Sequence, residues 1–237
     1  MEEIKWHILS TRPIDSALIE EARVQNIAIE CISFIETEGV QNDKIIYQIS
    51  ELSKKRITAV FTSMNAVEAI HPFLINNANW QVYCMGHATK KLVAEHLSGA
   101  SIIGVGNDAL SLADTVAADK PELVYFFCGD QRRDELPNKL KSHGIRVEEI
   151  VVYKTMAQEK KITTDYDGIL FFSPSAVHSF FNGNTIGRNV LLFAIGNTTS
   201  NAIKKFSQNE IIIADQPGKD QLVRKMIARL GHVQKTD

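Results

Sequence analysis

Four short turns carry the hydroxyl groups and glycines that could bind an anionic ligand. Each turn follows an apolar segment and precedes residues that favour a helix. A helix start presents free backbone N–H groups and the positive end of the helix dipole, which together bind carboxylates or phosphates without lysine or arginine. The candidate binding residues in these turns are Ser63, Asn65, Gly86, His87, Thr89, Ser173, Ser175, Gly196, Thr198 and Thr199. Any one of these serines or threonines is readily explained as a helix cap, but four such turns predict a ligand with several carboxylates or phosphates.

The turns recur at one fixed distance along the chain. Ser173 lies 110 residues after Ser63, and Gly196 lies 110 residues after Gly86. Two motifs that share an offset indicate that whole structural units have been repeated in register. We therefore predict an internal duplication in which each half contributes two of the four turns.

Alternating apolar and amphipathic segments predict an α/β fold with two similar lobes, each a five-stranded parallel sheet flanked by helices. The predicted strands include 6–10, 27–35, 59–61, 82–85 and 101–103 in the first half, and 145–153, 168–172, 191–195 and 210–213 in the second. The predicted helices are 14–26, 43–55, 65–75, 88–97, 109–117, 175–181, 198–206 and 219–230. Ligands of such sheets bind at the carboxyl ends of the strands, where the four turns would lie.

Composition and charge narrow the class of protein. The chain has 237 residues, of which 44% are hydrophobic, and this suffices for two domains of ordinary size. A net charge of −2 disfavours nucleic acid or an anionic membrane as the main partner, because both require clustered lysine and arginine. The first residues lack a secretory signal pattern, and no apolar run approaches the roughly 18–20 residues of a membrane span. We expect a soluble, cytoplasmic protein with no nucleic-acid or membrane partner.

Three weaker sequence features also have simpler explanations. The segment 104–109 matches a dinucleotide-binding fingerprint, but it follows the third predicted strand of its unit rather than the first, so we do not expect a cofactor loop there. The segment 132–134 could bind an anion or form a solvated cluster of ion pairs. Cys31, Cys84 and Cys128 each lie in an apolar strand-like segment, which predicts buried, unpaired thiols.

Six motifs occur in a defined order over nearly the whole chain. They are Thr11-Arg12-Pro13, Phe61-Thr62-Ser63 with Asn65-Ala66-Val67, Gly129 with Arg133-Asp134, Leu136 and Gly144, Val152-Tyr153-Lys154-Thr155, Phe172-Ser173-Pro174-Ser175-Ala176-Val177, and Ala194-Ile195-Gly196 with Thr198-Thr199. Together they resemble the uroporphyrinogen-III synthase family. Many members carry a basic residue before the glycine at 129, whereas this chain departs from the pattern with Cys128, at the position of one carboxylate contact.

The resemblance implies that the first βαβ unit of each half is exchanged between the lobes. Residues 1–34 would pack with 156–237 as the first α/β lobe, and 37–153 would form the second. Linkers near 34–37 and 152–156 would join them as a two-stranded antiparallel β linker. The ligand cleft would then lie between the lobes, and the thin linker would let them hinge.

The resemblance also implies a reaction. Hydroxymethylbilane, a linear tetrapyrrole, would lose water and close to uroporphyrinogen III with its last pyrrole ring inverted. The family acts as a cyclising hydro-lyase that uses no metal or cofactor, and we expect a monomer. Tyr153 would donate a proton to the leaving hydroxyl, and Thr11 and Arg12 would join the ten turn residues as substrate contacts.

Two other functions fit the same pattern. A non-enzymatic two-lobed binding protein for a polyanionic small molecule would carry the same helix-end turns. A sugar-phosphate isomerase with Ser/Thr loops is a third candidate, although no glutamate or histidine is placed consistently with those loops in both halves. Tyr153 would then be an ordinary aromatic residue of a strand.

Overall fold

A computed structural model describes residues 4–39, 42–75, 78–216 and 218–231. The chain divides into two compact units, residues 1–36 with 156–237 (the first unit) and residues 37–155 (the second unit). The strands are β1 (Trp6–Ser10), β2 (Ile27–Cys31), β3 (Ile35–Gly39), β4 (Thr58–Phe61), β5 (Gln81–Met85), β6 (Ser101–Gly106), β7 (Leu123–Gly129), β8 (Arg146–Ala157), β9 (Gly168–Phe171), β10 (Leu191–Ala194) and β11 (Ile211–Ile213). The helices are α1 (Ser16–Arg23), α2 (Asp43–Ser53), α3 (Met64–Ile70), α4 (Gly86–His96), α5 (Ala109–Ala118), α6 (Glu135–Ser142), α7 (Pro174–Gly183), α8 (Asn197–Ile203) and α9 (Lys219–Gly231), with a 3₁₀ turn at His71–Phe73. Among these helices, none is both long and apolar enough to cross a membrane.

The first unit is built on a parallel sheet of five strands in the order β11-β10-β9-β1-β2. Its central strand β9 is buried on both faces: Leu170 packs into a cluster with α1 and α9, and Phe171 packs into another with α7 and α8. A strand buried on both faces needs apolar side chains at successive positions, which explains why β9 reads as an unbroken apolar run.

The second unit contains the sheet β3-β8-β7-β4-β5-β6, in which the neighbouring pairs from β8 to β6 are parallel. Helices α2, α3 and α4 cover one face, and α5 and α6 cover the other. The prediction of parallel sheets flanked by helices is therefore confirmed. This sheet has six strands rather than five, because the predicted strand 27–35 divides in two: β2 ends at Cys31, and β3 begins at Ile35 and lies beside β8.

The glycines of the segment 104–109 serve packing. Gly104 and Gly106 lie within β6, and Asp108 caps α5 through a hydrogen bond from the Ser111 backbone N–H. A Cβ atom on Gly106 would come within 2.5 Å of the Leu112 backbone, and one on Gly104 would meet the Thr115 side chain at the same distance. The glycines therefore let α5 pack closely on β6.

The cysteine prediction is right for two residues and wrong for the third. Cys84 and Cys128 are buried in the second unit, whereas Cys31 is exposed. Cys31 is the last residue of β2, an edge strand whose burial fades toward its carboxyl end. An apolar sequence around a cysteine therefore did not suffice to predict its burial at a sheet edge.

Candidate active site

Ser63 and Tyr153 meet at the carboxyl edge of the sheet in the second unit. Phe61 of β4 pairs with Phe127 of β7. Two residues further along β7, Gly129 pairs with Tyr153 of β8. Ser63 also lies two residues beyond Phe61, so it reaches the same level, and its side chain forms a hydrogen bond with that of Tyr153. The structure thus brings two predicted site residues into direct contact.

A β-bulge in β8 sets the direction of the Tyr153 side chain. Cys128 pairs with Val151, but the next residue of β7 pairs with Tyr153, so Val152 is the extra residue in β8. Ile150, Val152 and Tyr153 consequently all pack on the cluster beneath α3, while Val151 packs on the opposite face. Regular alternation would have placed Tyr153 on the face of Val151. The bulge therefore turns its ring toward α3.

The surroundings of Tyr153 keep its phenol protonated. Burial raises the pKa of Tyr153 above its usual value, and the hydrogen bond with Ser63 lowers it by less. The Cys128 thiol and the Asp130 carboxylate raise the pKa further, because negative charge nearby disfavours the phenolate. At neutral pH the side chain is therefore a hydrogen-bond donor with a proton to give.

Tyr153 lines a pocket of about 280 Å³ within the second unit. Asn65, Glu68 and Phe73 contribute polar and apolar groups to its wall. Pockets that hold a whole drug-sized ligand measure roughly 300–1,000 Å³. A pocket of about 280 Å³ lies just below this range, so it would hold only part of a larger ligand.

Ser63 and Asn65 form the first turn of α3, as predicted. The Ser63 backbone is extended, and its hydroxyl oxygen accepts a hydrogen bond from the Asn65 backbone N–H at 3.2 Å. A capping serine holds the start of a helix in place. The same hydroxyl contacts Tyr153, so the cap also fixes the position of Ser63 beside the tyrosine.

The start of α4 is open, and the predicted binding residues there differ in access. Gly86 begins the helix with φ +75°, a conformation that glycine adopts without strain, and no side chain caps this helix. His87 is exposed, whereas Thr89 is buried together with Val93, four residues further along the same face. The backbone and His87 can therefore meet a ligand, while the Thr89 side chain faces the core.

The start of α7 in the first unit repeats the arrangement at α3. The Ser173 hydroxyl accepts a hydrogen bond from the Ala176 backbone N–H at 3.2 Å, and Pro174 occupies the first helical position. The Ser175 hydroxyl lies 3.2 Å from that of Ser173. These two hydroxyls form a polar pair at the carboxyl end of β9.

The start of α8 repeats the arrangement at α4. Gly196 precedes the helix with an extended backbone and without a side-chain cap. Asn197 and Thr199 correspond to His87 and Thr89 at the 110-residue offset. Asn197 and the neighbouring Thr198 are exposed, and Thr199 is buried. The duplication thus preserves one accessible and one inward residue in each turn.

Thr11 and Arg12 follow β1 and differ in solvent exposure. The Thr11 hydroxyl is buried and donates a hydrogen bond to the Leu170 carbonyl at 2.8 Å, which ties β1 to β9. Arg12 is exposed, and its guanidinium lies 5.8 Å from the centre of the Phe172 ring. Arg12 therefore places a cation beside the residue that precedes Ser173.

Two features of this region have a simple sequence explanation. Glu68 was not predicted as a pocket residue, but it lies three residues after Asn65, a spacing that puts both on one face of α3.

In the segment 132–134, Arg132 forms ion pairs with Asp134 and Glu149. The ion-pair explanation therefore accounts for Arg132.

Comparisons with known proteins agree with this fold. A family model described as uroporphyrinogen-III synthase HemD matches residues 16–224. A uroporphyrinogen-III synthase of Saccharomyces cerevisiae is 32% identical over 116 residues, which make up 40% of this chain and only 42% of the yeast protein. The crystal structure of the Helicobacter pylori uroporphyrinogen-III synthetase matches with a TM-score of 0.68 at 17% identity, over 95% of this chain and 100% of that one. A mutant uroporphyrinogen III synthase from Thermus thermophilus matches with a TM-score of 0.63 at 14% identity, over 95% and 98% of the two chains.

The extent of the family match decides the assignment. At their low identities the two crystal structures support the fold alone, and the yeast match spans less than half of that protein. The family model, in contrast, runs through both units and includes Ser63, Tyr153, Ser173 and the turns that begin α4 and α8. The chain belongs to the uroporphyrinogen-III synthase family.

Proposed function

We propose that this protein is a uroporphyrinogen-III synthase, a lyase that closes hydroxymethylbilane to uroporphyrinogen III with loss of water and inversion of the last ring. The observation that carries the proposal is the protonated Tyr153 side chain at a pocket of about 280 Å³, in a chain that belongs to this family. An acid is needed at one point of this reaction, where the hydroxyl on the first ring departs.

In this mechanism the Tyr153 hydroxyl donates its proton to the departing hydroxyl, which leaves as water. The substituted carbon of the last ring then attacks the carbon that lost the hydroxyl, and a spiro intermediate forms. The bond between the last ring and its original bridging carbon then breaks, and this bridging carbon bonds to the unsubstituted carbon of the same ring. That carbon loses a proton in the last step, and this proton restores the phenol, so the protein ends unchanged.

The substrate carboxylates are held by the starts of α4 and α7 and by the turns around them. Gly86 and His87 offer open backbone N–H groups, and the hydroxyls of Ser173 and Ser175 offer further donors. Arg12 adds a cation beside Phe172, the residue that precedes Ser173. Holding both ends of the substrate favours attack by the substituted carbon over the easier closure without rearrangement.

We also propose that both units contribute groups that bind the substrate, and that the protein acts as a cytoplasmic monomer. Each unit carries one serine-capped helix start and one at which the helix begins at a glycine or directly after it. A linear substrate with a carboxylate-bearing ring at each end suits two such sets of sites. The pocket of about 280 Å³ beside Tyr153 is too small for four rings.

The direct test is incubation of the purified protein with hydroxymethylbilane, followed by chromatographic separation of the oxidised product isomers. We expect fast formation of the rearranged isomer, while a reaction without protein gives the unrearranged one. Product of the unrearranged kind alone, formed at the rate of the control, would refute the proposal. Tight binding of the tetrapyrrole without acceleration would instead favour a non-enzymatic binding protein.

A further inference from the structure

The last residue of β7 packs against Tyr153 at an unusually short distance. Gly129 is buried, and a Cβ atom built on it would lie 2.5 Å from the Cε2 and Cζ atoms of the Tyr153 ring and 2.8 Å from its hydroxyl oxygen. Real Cβ atoms essentially never approach other atoms so closely. Gly129 does not have a positive φ, so the close approach alone requires glycine here. Any side chain at 129 would displace the hydroxyl end of the ring.

The next residue holds β8 just beyond the tyrosine. The Asp130 carboxylate accepts a hydrogen bond from the Thr155 backbone N–H at 2.9 Å. The Asp130 backbone N–H donates to the Tyr153 carbonyl at 3.1 Å, and the Gln131 side chain donates to the Thr155 carbonyl at 3.2 Å. These bonds hold β8 at Tyr153 and at Thr155, directly after the bulge. A bulge leaves one residue out of the regular ladder, so these bonds add to the pairing with β7 where the ladder is disrupted.

We propose that Gly129 and Asp130 position the Tyr153 hydroxyl for catalysis, Gly129 by leaving room for the ring and Asp130 by holding the strand beyond the bulge. The effect on turnover rests on the proposed function, in which Tyr153 is the proton donor. Neither residue contacts the substrate in this role, so each acts through the tyrosine. The negative charge of Asp130 has a second effect, since it helps to keep the pKa of Tyr153 raised.

The first experiment compares two glycines. In Gly129→Ala the new methyl group forces the phenol away from its place. We expect turnover to fall more than about tenfold, because part of a general-acid contribution that is typically about 10²–10⁴-fold would be lost. The KM should change less than threefold, because substrate contacts elsewhere remain. Gly183→Ala is the control: a Cβ atom there meets nothing within 4 Å, and turnover should stay unchanged.

The second experiment separates the hydrogen bond of Asp130 from its charge. Asp130→Asn keeps an oxygen that accepts the Thr155 N–H, so it should retain more than half of the turnover at neutral pH. Asp130→Ala removes the acceptor and should lower turnover about tenfold. Equal activity of the two variants would overturn the positioning role of Asp130.

A titration of the phenol tests the same idea without substrate. The absorbance difference between the wild type and Tyr153→Phe isolates the ionisation of Tyr153. Burial is the main cause of its raised pKa, so a ring pushed outward in Gly129→Ala should ionise at lower pH. Asp130→Asn should shift the ionisation the same way, because a negative charge is lost. Unchanged titration in both variants would overturn the inference.

A double variant shows whether Gly129 acts through the tyrosine. Tyr153→Ala removes the ring, which leaves space for a methyl group at 129. If Gly129 has only a positioning role, adding Gly129→Ala to Tyr153→Ala should change turnover less than twofold. A further tenfold loss in folded protein would overturn the inference. A wild type without synthase activity would refute the proposed function, and the titration alone would then decide the positioning.

Discussion

The Tyr153 hydroxyl gives the sharpest test at the scale of single residues. Tyr153→Phe removes the proton and keeps the ring on Gly129, so packing is preserved. We expect turnover to fall more than tenfold while the affinity for substrate stays nearly unchanged, because the lost interaction matters mainly in the transition state. The product should shift toward the unrearranged isomer as unassisted closure competes.

Rapid kinetics with isomer separation would measure both effects, with Tyr47→Phe as the matched control. Tyr47 is 67% exposed on α2, and its variant should behave as wild type. If Tyr153→Phe retains more than half of the turnover with the rearranged isomer dominant, Tyr153 is not the proton donor.

The same residue predicts how activity depends on pH. A general acid works in its protonated form, and the pKa of Tyr153 is raised mainly by burial. The protonated form therefore persists beyond the usual tyrosine pKa of about 10, and this residue should cause no alkaline loss of activity below that pH. The pH profile of kcat/KM checks this. An alkaline fall near pH 8 that is present in the wild type and absent in Tyr153→Phe would contradict it.

At the scale of elements, the two inward threonines allow a prediction about helix starts. Thr89 of α4 and Thr199 of α8 are buried at equivalent positions, whereas Thr198 is exposed. We expect Thr89→Ala and Thr199→Ala each to lower the free energy of unfolding by about 0.5–2 kcal/mol, the usual effect of losing a buried hydroxyl, and turnover to fall less than tenfold. Denaturant titration of each variant beside Thr198→Ala measures the difference. Complete loss of activity in a folded Thr89→Ala variant would show that its hydroxyl acts chemically.

A buried asparagine joins the end of α7 to the segment that follows β8. The Asn184 side chain donates to the carbonyls of Lys160 and Phe180 at 2.7 and 2.9 Å and accepts from the Ile162 N–H at 2.8 Å. Asn184→Ala loses all three bonds and should lower the free energy of unfolding by about 2–4 kcal/mol, since each contributes about 1 kcal/mol and buried partners are left unpaired.

Asn182→Ala is the control for this variant. The exposed Asn182 makes a 3.4 Å bond to Glu159, and its loss should cost less than about 0.5 kcal/mol. Equal destabilisation by the two substitutions would show that Asn184 does not hold the segment.

Elements were predictable from sequence where local signals define them. The apolar run of β4 followed by Ser63 predicted a strand, a cap and a helix, and the structure contains them. The bulge at Val152 was not predictable, because it depends on pairing with β7, more than twenty residues earlier, and leaves no local signal. The inward direction of Thr89 could have been inferred from its four-residue spacing to Val93, since both lie on one face of α4.

At the scale of the whole molecule, the duplication preserved the proposed binding turns but not the proposed proton donor. The segments that begin at Ile27 and Ile145 correspond, so the counterpart of Tyr153 is Ile35 on β3. An isoleucine has no proton to give. Both units therefore retain turns that suit carboxylates, while the proposed proton donor belongs to the second unit alone.

This asymmetry, together with the chain connections, leads to a prediction about motion. The chain passes between the units at residues 36–37 and again at 155–156, and two thin connections permit hinge bending. If carboxylates of one substrate bind turns in both units, the substrate has a higher affinity for a closed form and shifts the population toward it. We expect small-angle scattering to show a smaller radius of gyration with a non-reacting product analogue than without it. The Tyr153→Phe variant should show the same decrease in radius of gyration, because we propose that the hydroxyl takes part in the reaction and not in the change of conformation. An unchanged radius at saturating analogue would show that binding does not draw the two units together.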